Sequence, residues 1–549
     1  MTALSQRIDP RLRQFGGHVL CGLVSVACIS AGFAPLNLFW LVWIGVALWV
    51  WRVTLMLSTL RACAFGYATG LVYFLANFSW LWSATRSGHV VVALILAVYF
   101  ALLAAIVFRA RALSSWKFAL VVAAAWAASD YLHGVVMGGF PWLFLGHTQS
   151  RLLVVCQIAD LTGAIGLSFW AALVGTTLLC LITRRRESMP LFILTPVITL
   201  AMVIYGMIRM DYTTTPSNLR IALVQPNHVH LAGGAKPLTQ AELVEYHLKR
   251  SDRIDADLIV WSETTMPALN VEARTEPGLG SGPFLNRVHQ QLGDFARTRD
   301  AHLVAGGYYV GGWQGTLGKR SATDIRNSVY LYAPDGRETR YDKVNLVPFA
   351  EYVTFHDSWP WMHRQLQRFA TAAYATGYRL TAGVEAKALE VSVRGRTFRF
   401  ATPICFEDTV GSFVASFFAP DANGRKGADA ILNITNDGWF NAQEKHQHLQ
   451  IAIFRSIENR VPTARVSNTG ISAFLDSSGR VTSSVGVFRD EILSGTISVD
   501  DRVTVYTRFG EWFSWACVIA TALFFAATFR GGRAPKNSSP HFAAADGST

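Results

Sequence analysis

The sequence predicts a chain in two parts, a polytopic α-helical membrane domain of about eight transmembrane helices and a polar α/β domain. Three observations favour this fold class. Hydrophobic residues make up 51% of the 549 residues and charged residues only 16%, as in a chain partly dissolved in lipid. Apolar runs near the length of a bilayer crossing fill the first part and recur once near the end. Between them, strands alternate with helices. This composition excludes an ordinary soluble enzyme.

The apolar runs divide the chain into five segments. They are a cytoplasmic N-terminus (1–17), a membrane domain with seven transmembrane helices (18–214), an extracytoplasmic domain (215–505), an eighth transmembrane helix (506–530) and a disordered cytoplasmic tail (531–549). The helices are predicted at roughly 18–36, 37–51, 64–83, 89–108, 117–136, 157–182, 190–209 and 511–529. The first run follows basic residues as in a signal peptide, but further apolar runs follow at once and favour an uncleaved helix.

Basic residues between the apolar runs predict the orientation of the chain. Five clusters fall on the same side of successive crossings: Arg7/Arg11/Arg13, Arg52/Arg61, Arg109/Arg111/Lys117, Arg184/Arg185/Arg186 and Arg530/Arg533/Lys536. The opposite short loops carry little beyond Arg86 and Arg151. By the positive-inside rule, both termini are cytoplasmic and residues 215–505 are extracytoplasmic. The net charge of +12 therefore reflects membrane orientation. No basic stripe interleaved with aromatic residues indicates a nucleic-acid partner.

The polar domain has the alternating pattern of a layered α/β domain. Apolar, β-prone runs predict strands at 219–225, 257–261, 302–309, 328–332, 398–404, 430–434 and 463–466. Helices are predicted at 239–253, 284–299, 410–418 and 443–458.

Cys405 is the only one of the seven cysteines that lies outside the apolar segments. It ends the run 398–404 and precedes the predicted helix 410–418. A sulfur held on such a strand–helix turn lies near a helix N-terminus, whose partial positive charge favours the thiolate. A buried, inert cysteine at a strand end is the alternative that this pattern alone leaves open. A single cysteine in this domain excludes a disulfide within it.

Two further strand ends carry reactive side chains. Glu263 follows the strand that ends Leu-Ile-Val-Trp-Ser, and Lys343 comes after a Pro-Asp-Gly turn. Singly, each is more often a solvated surface charge. Together with Cys405 they make up a nucleophile, a base and a fixed cation, which suffice for acyl transfer through a thioester. Glu263 would accept the thiol proton, and Lys343 would favour the thiolate and stabilise the tetrahedral oxyanion together with neighbouring backbone N–H groups.

Four motifs, in order along residues 219–498, resemble those of the nitrilase superfamily. They are Trp261–Thr264, Tyr341–Glu351, Ile404–Glu407 and Asn436–Phe440. With seven preceding helices, a Gly-Phe-Pro-Trp loop and one following helix, the whole chain resembles the apolipoprotein N-acyltransferases, the integral-membrane branch of that superfamily. The resemblance implies that residues 215–505 form a nitrilase-like αββα sandwich, the catalytic domain, on the outer face of the bacterial cytoplasmic (inner) membrane. It assigns the Glu-Lys-Cys set to Glu263, Lys343 and Cys405.

The resemblance also implies a ping-pong reaction. Cys405 takes a fatty acyl chain from the sn-1 position of a phospholipid and passes it to the α-amine of the S-diacylglyceryl cysteine that begins an apolipoprotein. The expected partners are therefore a phospholipid donor and a diacylglyceryl apolipoprotein acceptor, and the chain is expected to act as a monomer. The alternative is a membrane-anchored nitrilase-type amidase that hydrolyses a carbon–nitrogen bond and passes the thioester to water. A transporter or scaffold with an inactive domain is disfavoured because all three reactive side chains are present.

The same resemblance predicts supporting residues. Glu351 and Glu407 are expected to line the site and to support Lys343 and the acyl intermediate. Two features depart from the family pattern: Phe406 stands where many members carry Tyr, and the tract 226–231 lacks the expected pattern. Both departures affect the expected substrate preference more than the reaction.

Aromatic residues near the candidate site suggest contact with lipid. The segment after Lys343 is rich in large apolar side chains: Phe349, Tyr352, Phe355, Trp359, Trp361 and Met362. Such a segment suits a lid over an acyl chain, and ordinary core packing is the alternative. The pair Trp439 and Phe440 leaves the same choice open. Phe349 and Trp439 are the candidate substrate-binding residues.

The histidines of the polar domain do not predict a metal site. His446 and His448 are two apart on a predicted helix and so lie on different faces. His228 and His230 could share a strand face, but no third ligand is apparent. We therefore expect neither a metal nor a cofactor.

Overall fold

The computed structural model describes residues 10–184, 187–228, 238–276, 282–315, 321–353, 358–370 and 379–530. The chain divides into two compact units, each described by itself below. The helical unit comprises the chain up to Ser79, His89–Ile208 and the chain from Glu511. The α/β unit comprises Trp80–Gly88 and Arg209–Gly510. The predicted tail and the predicted N-terminal segment up to residue 9 lie outside the described residues.

The helical unit is built from long apolar helices. Within the described residues they are Pro10–Ser30, Phe39–Thr54, Thr59–Asn77, Arg86–Ala110, Ser115–Val135, Ala164–Thr183, Met189–Met210 and Trp512–Arg530. Shorter helical pieces are Ser79–Ser83, Val136–Gly138, Leu145–Gln149, Leu153–Cys156 and Ala159–Thr162. In the described part of the chain, five helices have the length and composition to cross a membrane: Thr59–Asn77, Arg86–Ala110, Ser115–Val135, Ala164–Thr183 and Met189–Met210. The total of eight crossings stays a prediction.

Two predicted helix boundaries are corrected by local backbone chemistry. The helix predicted at 64–83 begins at Thr59, because the Ser58 hydroxyl caps it by accepting from the backbone N–H of Arg61. It ends at Asn77. The helix predicted at 157–182 is interrupted at Gly163, whose φ of 67° is left-handed and separates Ala159–Thr162 from Ala164–Thr183.

The α/β unit contains two sheets, each with six strands among the described residues. The strands are β1 (Thr215–Gln225), β2 (Leu258–Trp261), β3 (His302–Gln314), β4 (Ser321–Tyr332), β5 (Glu338–Asp342), β6 (Leu389–Val393), β7 (Arg396–Ala401), β8 (Ala430–Thr435), β9 (Thr463–Ser467), β10 (Ser472–Leu475), β11 (Val481–Val485) and β12 (Glu491–Val499). The strand orders are β12-β1-β2-β3-β4-β5 and β11-β10-β9-β8-β7-β6. In each sheet the three central pairing strands β1–β3 and β7–β9 run parallel.

Helices cover the outer faces of the two sheets. In the described residues of this unit the helical segments are Gln240–Ser251, Val271–Thr275, Gly282–Arg299, Pro360–Leu366, Gln367–Phe369, Cys405–Thr409, Gly411–Ser416, Asp437–Trp439, Ala442–Asn459 and Val505–Phe509. The helix predicted at 410–418 is therefore shorter than expected, and a separate 3-10 turn precedes it.

Alternation along β1 explains the layering. Leu219, Ile221 and Leu223 are buried in the core between the sheets, together with residues of the second sheet such as Phe398 and Phe400. The intervening residues of β1 pack in a second core with the helices Gln240–Ser251 and Gly282–Arg299. The buried strands thus carry apolar side chains on both faces, as parallel central strands do. The α/β unit has the expected helix–sheet–sheet–helix layering.

Parallel strand direction places the candidate reactive residues. Glu263 follows β2, Cys405 follows β7 and the segment Thr435–Asp437 ends β8. Because the carboxyl ends of parallel strands lie at one edge of a sheet, side chains that follow them can converge. Lys343 directly follows β5, and its N–H donates to the carbonyl of Asn327 on β4 at 2.8 Å.

Candidate active site

Cys405 lies in a strained turn directly after β7. Its φ is 52°, in the left-handed region that non-glycine residues rarely adopt, which typically costs about 1–3 kcal/mol. The preceding residue, Ile404, forms a bridge with Ile434 at the end of β8. The turn continues into the five-residue 3-10 helix Cys405–Thr409. The side chain is partly exposed, so its sulfur is held at a fixed point yet within reach of a substrate.

Glu407 fastens this turn to the segment that contains Lys343. Its carboxylate accepts from the backbone N–H groups of Ile404 at 2.8 Å, Val344 at 2.6 Å and Asn345 at 2.8 Å. It also accepts from the Tyr341 hydroxyl at 2.9 Å. Glu407 is fully buried, and burial raises its pKa to about 7 against the effect of these donors. The Glu407 carboxylate thus binds buried donors and holds the Cys405 turn against the segment after Lys343.

Lys343 brings two carboxylates together. Its ammonium Nζ lies 2.8 Å from Glu351 Oε1 and 3.8 Å from Glu263 Oε1, and all three side chains are buried. Glu351 is itself oriented by the backbone N–H of Val347, which donates to Oε2 at 2.8 Å. A buried ammonium is stable only with such partners. Burial opposes the charge of Lys343, but Glu351 and Glu263 outweigh it and raise the pKa of Lys343 well above its ordinary range.

Glu263 has the contacts expected of a base for Cys405. The charge of Lys343 lowers the pKa of Glu263, and the neighbouring Cys405 thiol lowers it to a smaller extent. Burial has the larger effect, so the pKa of Glu263 lies above its ordinary value. A carboxylate with a raised pKa is a better proton acceptor than a solvated one.

The thiolate that the sequence predicts at Cys405 stays a prediction, and the surroundings of the sulfur act against it. Burial raises the pKa of this thiol well above its ordinary value, and the negative charges of Glu263 and Asp437 raise it further, whereas Lys343 and Thr435 lower it. The helical segments that follow the cysteine have five and six residues and bring little dipole charge to the sulfur. The geometry therefore favours a resting thiol whose proton is removed by Glu263 during attack.

The site lies in a domain that matches a known family. The family model of carbon-nitrogen hydrolases matches residues 220–505, just over half of the chain. The chain belongs to the carbon-nitrogen hydrolase family. Residues 25–177 match a second model, the apolipoprotein N-acyltransferase N-terminal domain. The resemblance drawn from the four motifs is thereby confirmed.

Relatives and a solved structure resemble this carbon-nitrogen hydrolase family member. The apolipoprotein N-acyltransferase of Geobacter metallireducens is 29% identical over 74% of this chain and 73% of its own length. Apolipoprotein N-acyltransferase 1 of Treponema denticola is 26% identical over 83% of this chain and 85% of its own length. A CN-hydrolase superfamily protein of Xanthomonas campestris is 18% identical with a TM-score of 0.34, covering 58% of this chain and 99% of its own.

Three residues around Glu263 carry no role in the sequence-based interpretation. Asn327 Nδ2 donates to Glu263 Oε1 at 2.6 Å, and the backbone N–H of Asn436 donates to Oε2 at 2.7 Å. On β3, Gly306 packs so closely that a Cβ would lie 2.7 Å from the Glu263 Cα. Asn436 is the first residue of one of the four motifs, and its presence there is the feature of the sequence that could have predicted this contact. Asn327 and Gly306 lie on strands whose sequence gives no local sign of the contact.

The aromatic candidates are divided between exposed and packed positions. Trp359 and Trp361 are 51% and 54% exposed, which excludes core packing for both. Trp439 is 39% exposed. Phe349 is half-buried in a tight turn with a φ of 62°, and its N–H donates to the Tyr352 carbonyl at 2.7 Å. Phe355 lies outside the described residues. The exposed indoles keep the hypothesis of a lipid-facing segment open.

His448 is buried in a charged cluster that sequence reasoning did not identify. Its Nε2 lies 2.7 Å from Asp408 Oδ1, and its Nδ1 lies 3.3 Å from both Asp437 Oδ1 and Glu444 Oε1. Three of these groups could hold a metal ion by proximity: Asp437, Glu444 and His448. However, the Arg465 guanidinium lies 3.4 Å from Asp437 Oδ2 and 2.9 Å from Asp408 Oδ2, so it already supplies a positive charge beside this cluster. The donor set therefore fits a hydrogen-bonded charge network, and we assign it no metal. His230, of the other histidine pair, lies outside the described residues.

Proposed function

We propose that the chain is an apolipoprotein N-acyltransferase of the bacterial cytoplasmic membrane. It would move a fatty acyl chain from a phospholipid to Cys405 as a thioester, and then to the α-amine of an S-diacylglyceryl cysteine. The observation that carries this proposal is the buried Lys343 ammonium between Glu351 and Glu263, beside the Cys405 thiol. The acceptor class, an apolipoprotein, comes from the names of the relatives and the N-terminal family match, and the phospholipid donor is what the sequence resemblance implies.

The first half-reaction uses all three reactive groups. Glu263 takes the proton from Cys405 Sγ as the sulfur attacks the ester carbonyl carbon, and the carbonyl oxygen becomes an oxyanion. Lys343 supplies a fixed positive charge that stabilises this oxyanion. Because the lysine is buried away from water, the electrostatic attraction is stronger than it would be in solution. The ester C–O bond then breaks, and the proton on Glu263 passes to the leaving alkoxide. The products are a lysophospholipid and the Cys405 thioester.

The second half-reaction returns the enzyme to its resting state. The acceptor amine attacks the thioester carbonyl, Glu263 takes a proton from the amine nitrogen, and the C–S bond breaks to give an amide. The thiolate then regains its proton from Glu263. Because each half-reaction begins and ends with Glu263 ionised, one base serves both steps. A water molecule in place of the amine would give free fatty acid, which is the hydrolase alternative.

Glu351 and Glu407 have supporting roles in this scheme. Glu351 keeps Lys343 charged and fixes its position through the 2.8 Å ion pair. Glu407 holds the strained Cys405 turn against the backbone of Val344 and Asn345. Phe349 and Trp439 belong to the partly exposed surface that we propose contacts the acyl chains. Their apolar rings suit a hydrocarbon ligand.

The loop Trp80–Gly88 supports an extracytoplasmic location for the α/β unit. Trp80 Nε1 donates to Gln447 Oε1 at 3.2 Å, and the Trp80 ring lies 4.8 Å from that of Phe440. Ser83 Oγ donates to the Trp439 carbonyl at 3.1 Å. These contacts support the proposal that this loop and the rest of the α/β unit lie on one side of the membrane. Four long apolar helices between residues 86 and 210 separate them in sequence, the even number that this requires. The positive-inside rule makes that side the outer one.

The proposal is tested with the full chain in detergent. It is incubated with a phospholipid carrying a labelled sn-1 chain, first alone and then with a diacylglyceryl-cysteine peptide. We expect mass spectrometry to find the acyl group on Cys405 in the first step and on the peptide amine in the second. Cys405→Ala should give neither product. Free fatty acid as the only labelled product would replace this proposal with the hydrolase alternative.

A further inference from the structure

Thr435 stands beside the nucleophile without a role in the reaction described above. It is the last residue of β8 and is fully buried. The bridge between Ile404 and Ile434 places the residues that follow them, Cys405 and Thr435, next to each other. The Thr435 hydroxyl lies 2.9 Å from Asp437 Oδ1, to which it donates. The neighbouring Thr435 side chain also lowers the pKa of the Cys405 thiol, as a hydroxyl that can donate to the negative sulfur does. A hydroxyl has one proton, so it can donate to only one of these two acceptors at a time.

Asp437 has enough other partners to release this hydroxyl. Ser467 Oγ donates to Asp437 Oδ2 at 3.0 Å, and the Arg465 guanidinium lies 3.4 Å from the same oxygen. The His448 ring contributes at Oδ1, the oxygen that Thr435 contacts. If the Thr435 hydroxyl turns away, the buried Asp437 carboxylate therefore keeps its other hydrogen-bond and ion-pair partners. A buried carboxylate with only one donor would be left without any.

The position of His448 allows its ring to balance the negative charge of Asp437. Its ring lies between Asp408 and Asp437, and it is buried with both. Burial alone lowers the pKa of a histidine, but these carboxylates outweigh burial and Arg465 and raise the pKa of His448 well above its ordinary value. The raised pKa favours the imidazolium form of the ring. Its charge offsets that of Asp437, which otherwise disfavours a negative sulfur at Cys405.

We propose that Thr435 is a positioning residue that exchanges its hydrogen bond during nucleophilic attack. In the resting site its hydroxyl donates to Asp437. When Glu263 takes the proton from Cys405 Sγ, the hydroxyl rotates and donates to the negative sulfur, while His448 and Arg465 hold Asp437. No proton leaves Thr435, so the proton count of the reaction is unchanged. This inference rests on the proposed function for its place in the reaction, but its test does not.

Charged groups from three strand ends surround the Cys405 thiol and influence its pKa. Glu263 follows β2, Lys343 follows β5 and Asp437 follows β8, and each interacts electrostatically with Cys405. All three are present in a Thr435 variant. If the reactivity of the thiol changes when only the Thr435 hydroxyl is removed, the change is therefore due to the hydrogen bond between this hydroxyl and the sulfur.

The test measures alkylation of Cys405 by iodoacetamide as a function of pH, in the full-length detergent-solubilised protein. Alkylation needs the thiolate, and mass spectrometry of the Cys405 peptide separates it from the other cysteines. For Thr435→Val we expect the midpoint of the pH profile to move upward by about one unit, so that alkylation below the midpoint is about tenfold slower. Thr435→Ser keeps the hydroxyl and should restore the profile of the unmodified protein.

Thr402→Val is the matched control. Thr402 is also buried, lies just beyond β7, and bonds only to the Phe400 carbonyl within the contacts described, at 3.2 Å. It should leave the alkylation profile unchanged, and thermal unfolding of each variant checks that the fold is retained. An unshifted profile in Thr435→Val, or an equal shift in Thr402→Val, would overturn the proposal. An unfolded Thr435→Val would shift the decision to Thr435→Ser and Thr435→Ala, whose profiles must differ if the hydroxyl acts on the sulfur.

A second readout connects the inference to acyl transfer. In Thr435→Val, thioester formation from labelled phospholipid should slow by about the same tenfold factor. Its dependence on phospholipid concentration should not change, because Thr435 does not contact the lipid in this scheme. If the unmodified protein formed no thioester, the proposed function would fail. The alkylation profiles would still decide the role of Thr435.

Discussion

The Lys343 ammonium lies 2.8 Å from the carboxylate of Glu351, closer than it lies to Glu263. The shorter ion pair assigns Glu351 the task of keeping the lysine charged. It leaves the Glu263 oxygens to Asn327, to the backbone of Asn436 and to the thiol. The two carboxylates thus share one cation, and in the proposed reaction Glu351 supports the lysine while Glu263 acts as the base.

Glu351→Gln should therefore impair the site without removing any reacting atom. The buried ammonium would keep only the more distant Glu263 carboxylate, and breaking a buried pair usually costs about 3–5 kcal/mol. We expect at least a tenfold loss of thioester formation and a lower thermal unfolding temperature. Glu390→Gln, an exposed glutamate on β6, is the matched control and should change neither. Full activity of the Glu351→Gln variant would contradict the supporting role proposed for Glu351.

Glu263→Gln should slow thioester formation by about 10²–10⁴-fold, the usual contribution of a positioned general base. The unmodified protein should show an acid limb set by Glu263. Because burial raises the pKa of Glu263, activity should fall with decreasing pH at values above the ordinary glutamate range. The measurement is the initial rate of thioester formation across pH. A rate in Glu263→Gln equal to that of the unmodified protein would contradict the assigned base.

Lys343→Arg should be nearly inactive although it conserves the charge. Lys343 is completely buried, and its ammonium is a compact point charge that fits between two carboxylates. A planar guanidinium is larger and spreads its charge over several nitrogens, so it would misplace the positive charge that the oxyanion requires. We expect at least a hundredfold loss of thioester yield per unit time, in the range found for removing an oxyanion donor. Normal turnover would exclude the proposed role of Lys343.

Membrane orientation can be tested with single cysteine labels in a chain whose seven native cysteines are replaced by alanine. Asn423→Cys places a thiol at an exposed turn of the α/β unit, and Ala112→Cys places one in the exposed turn after the helix Arg86–Ala110. A membrane-impermeant maleimide added to spheroplasts should label Asn423→Cys directly. It should label Ala112→Cys only after permeabilisation. The reverse pattern would place the α/β unit in the cytosol and reject the proposed location.

Much of the architecture was predictable from local patterns. The strands predicted at 219–225, 257–261, 302–309, 328–332, 430–434 and 463–466 are confirmed as parts of β1–β4, β8 and β9, because buried strands carry continuous apolar runs. The predictions missed β5, β6 and β10–β12, most of which are short or half-exposed strands. Of these, β12 is placed by a distant segment, because it pairs with β1 across more than 250 residues.

By itself, the sequence determined which residue types end which strands, and hence the trio Glu263, Lys343 and Cys405, because strand periodicity and motif spacing are local properties. The tertiary structure decided their electrical state. Glu351 lies nearer to Lys343 than Glu263 does, and burial raises the pKa of the Cys405 thiol. Those outcomes depend on burial and on charges contributed by separate strands, such as that of Asp437 after β8. A linear pattern does not encode the distances between them.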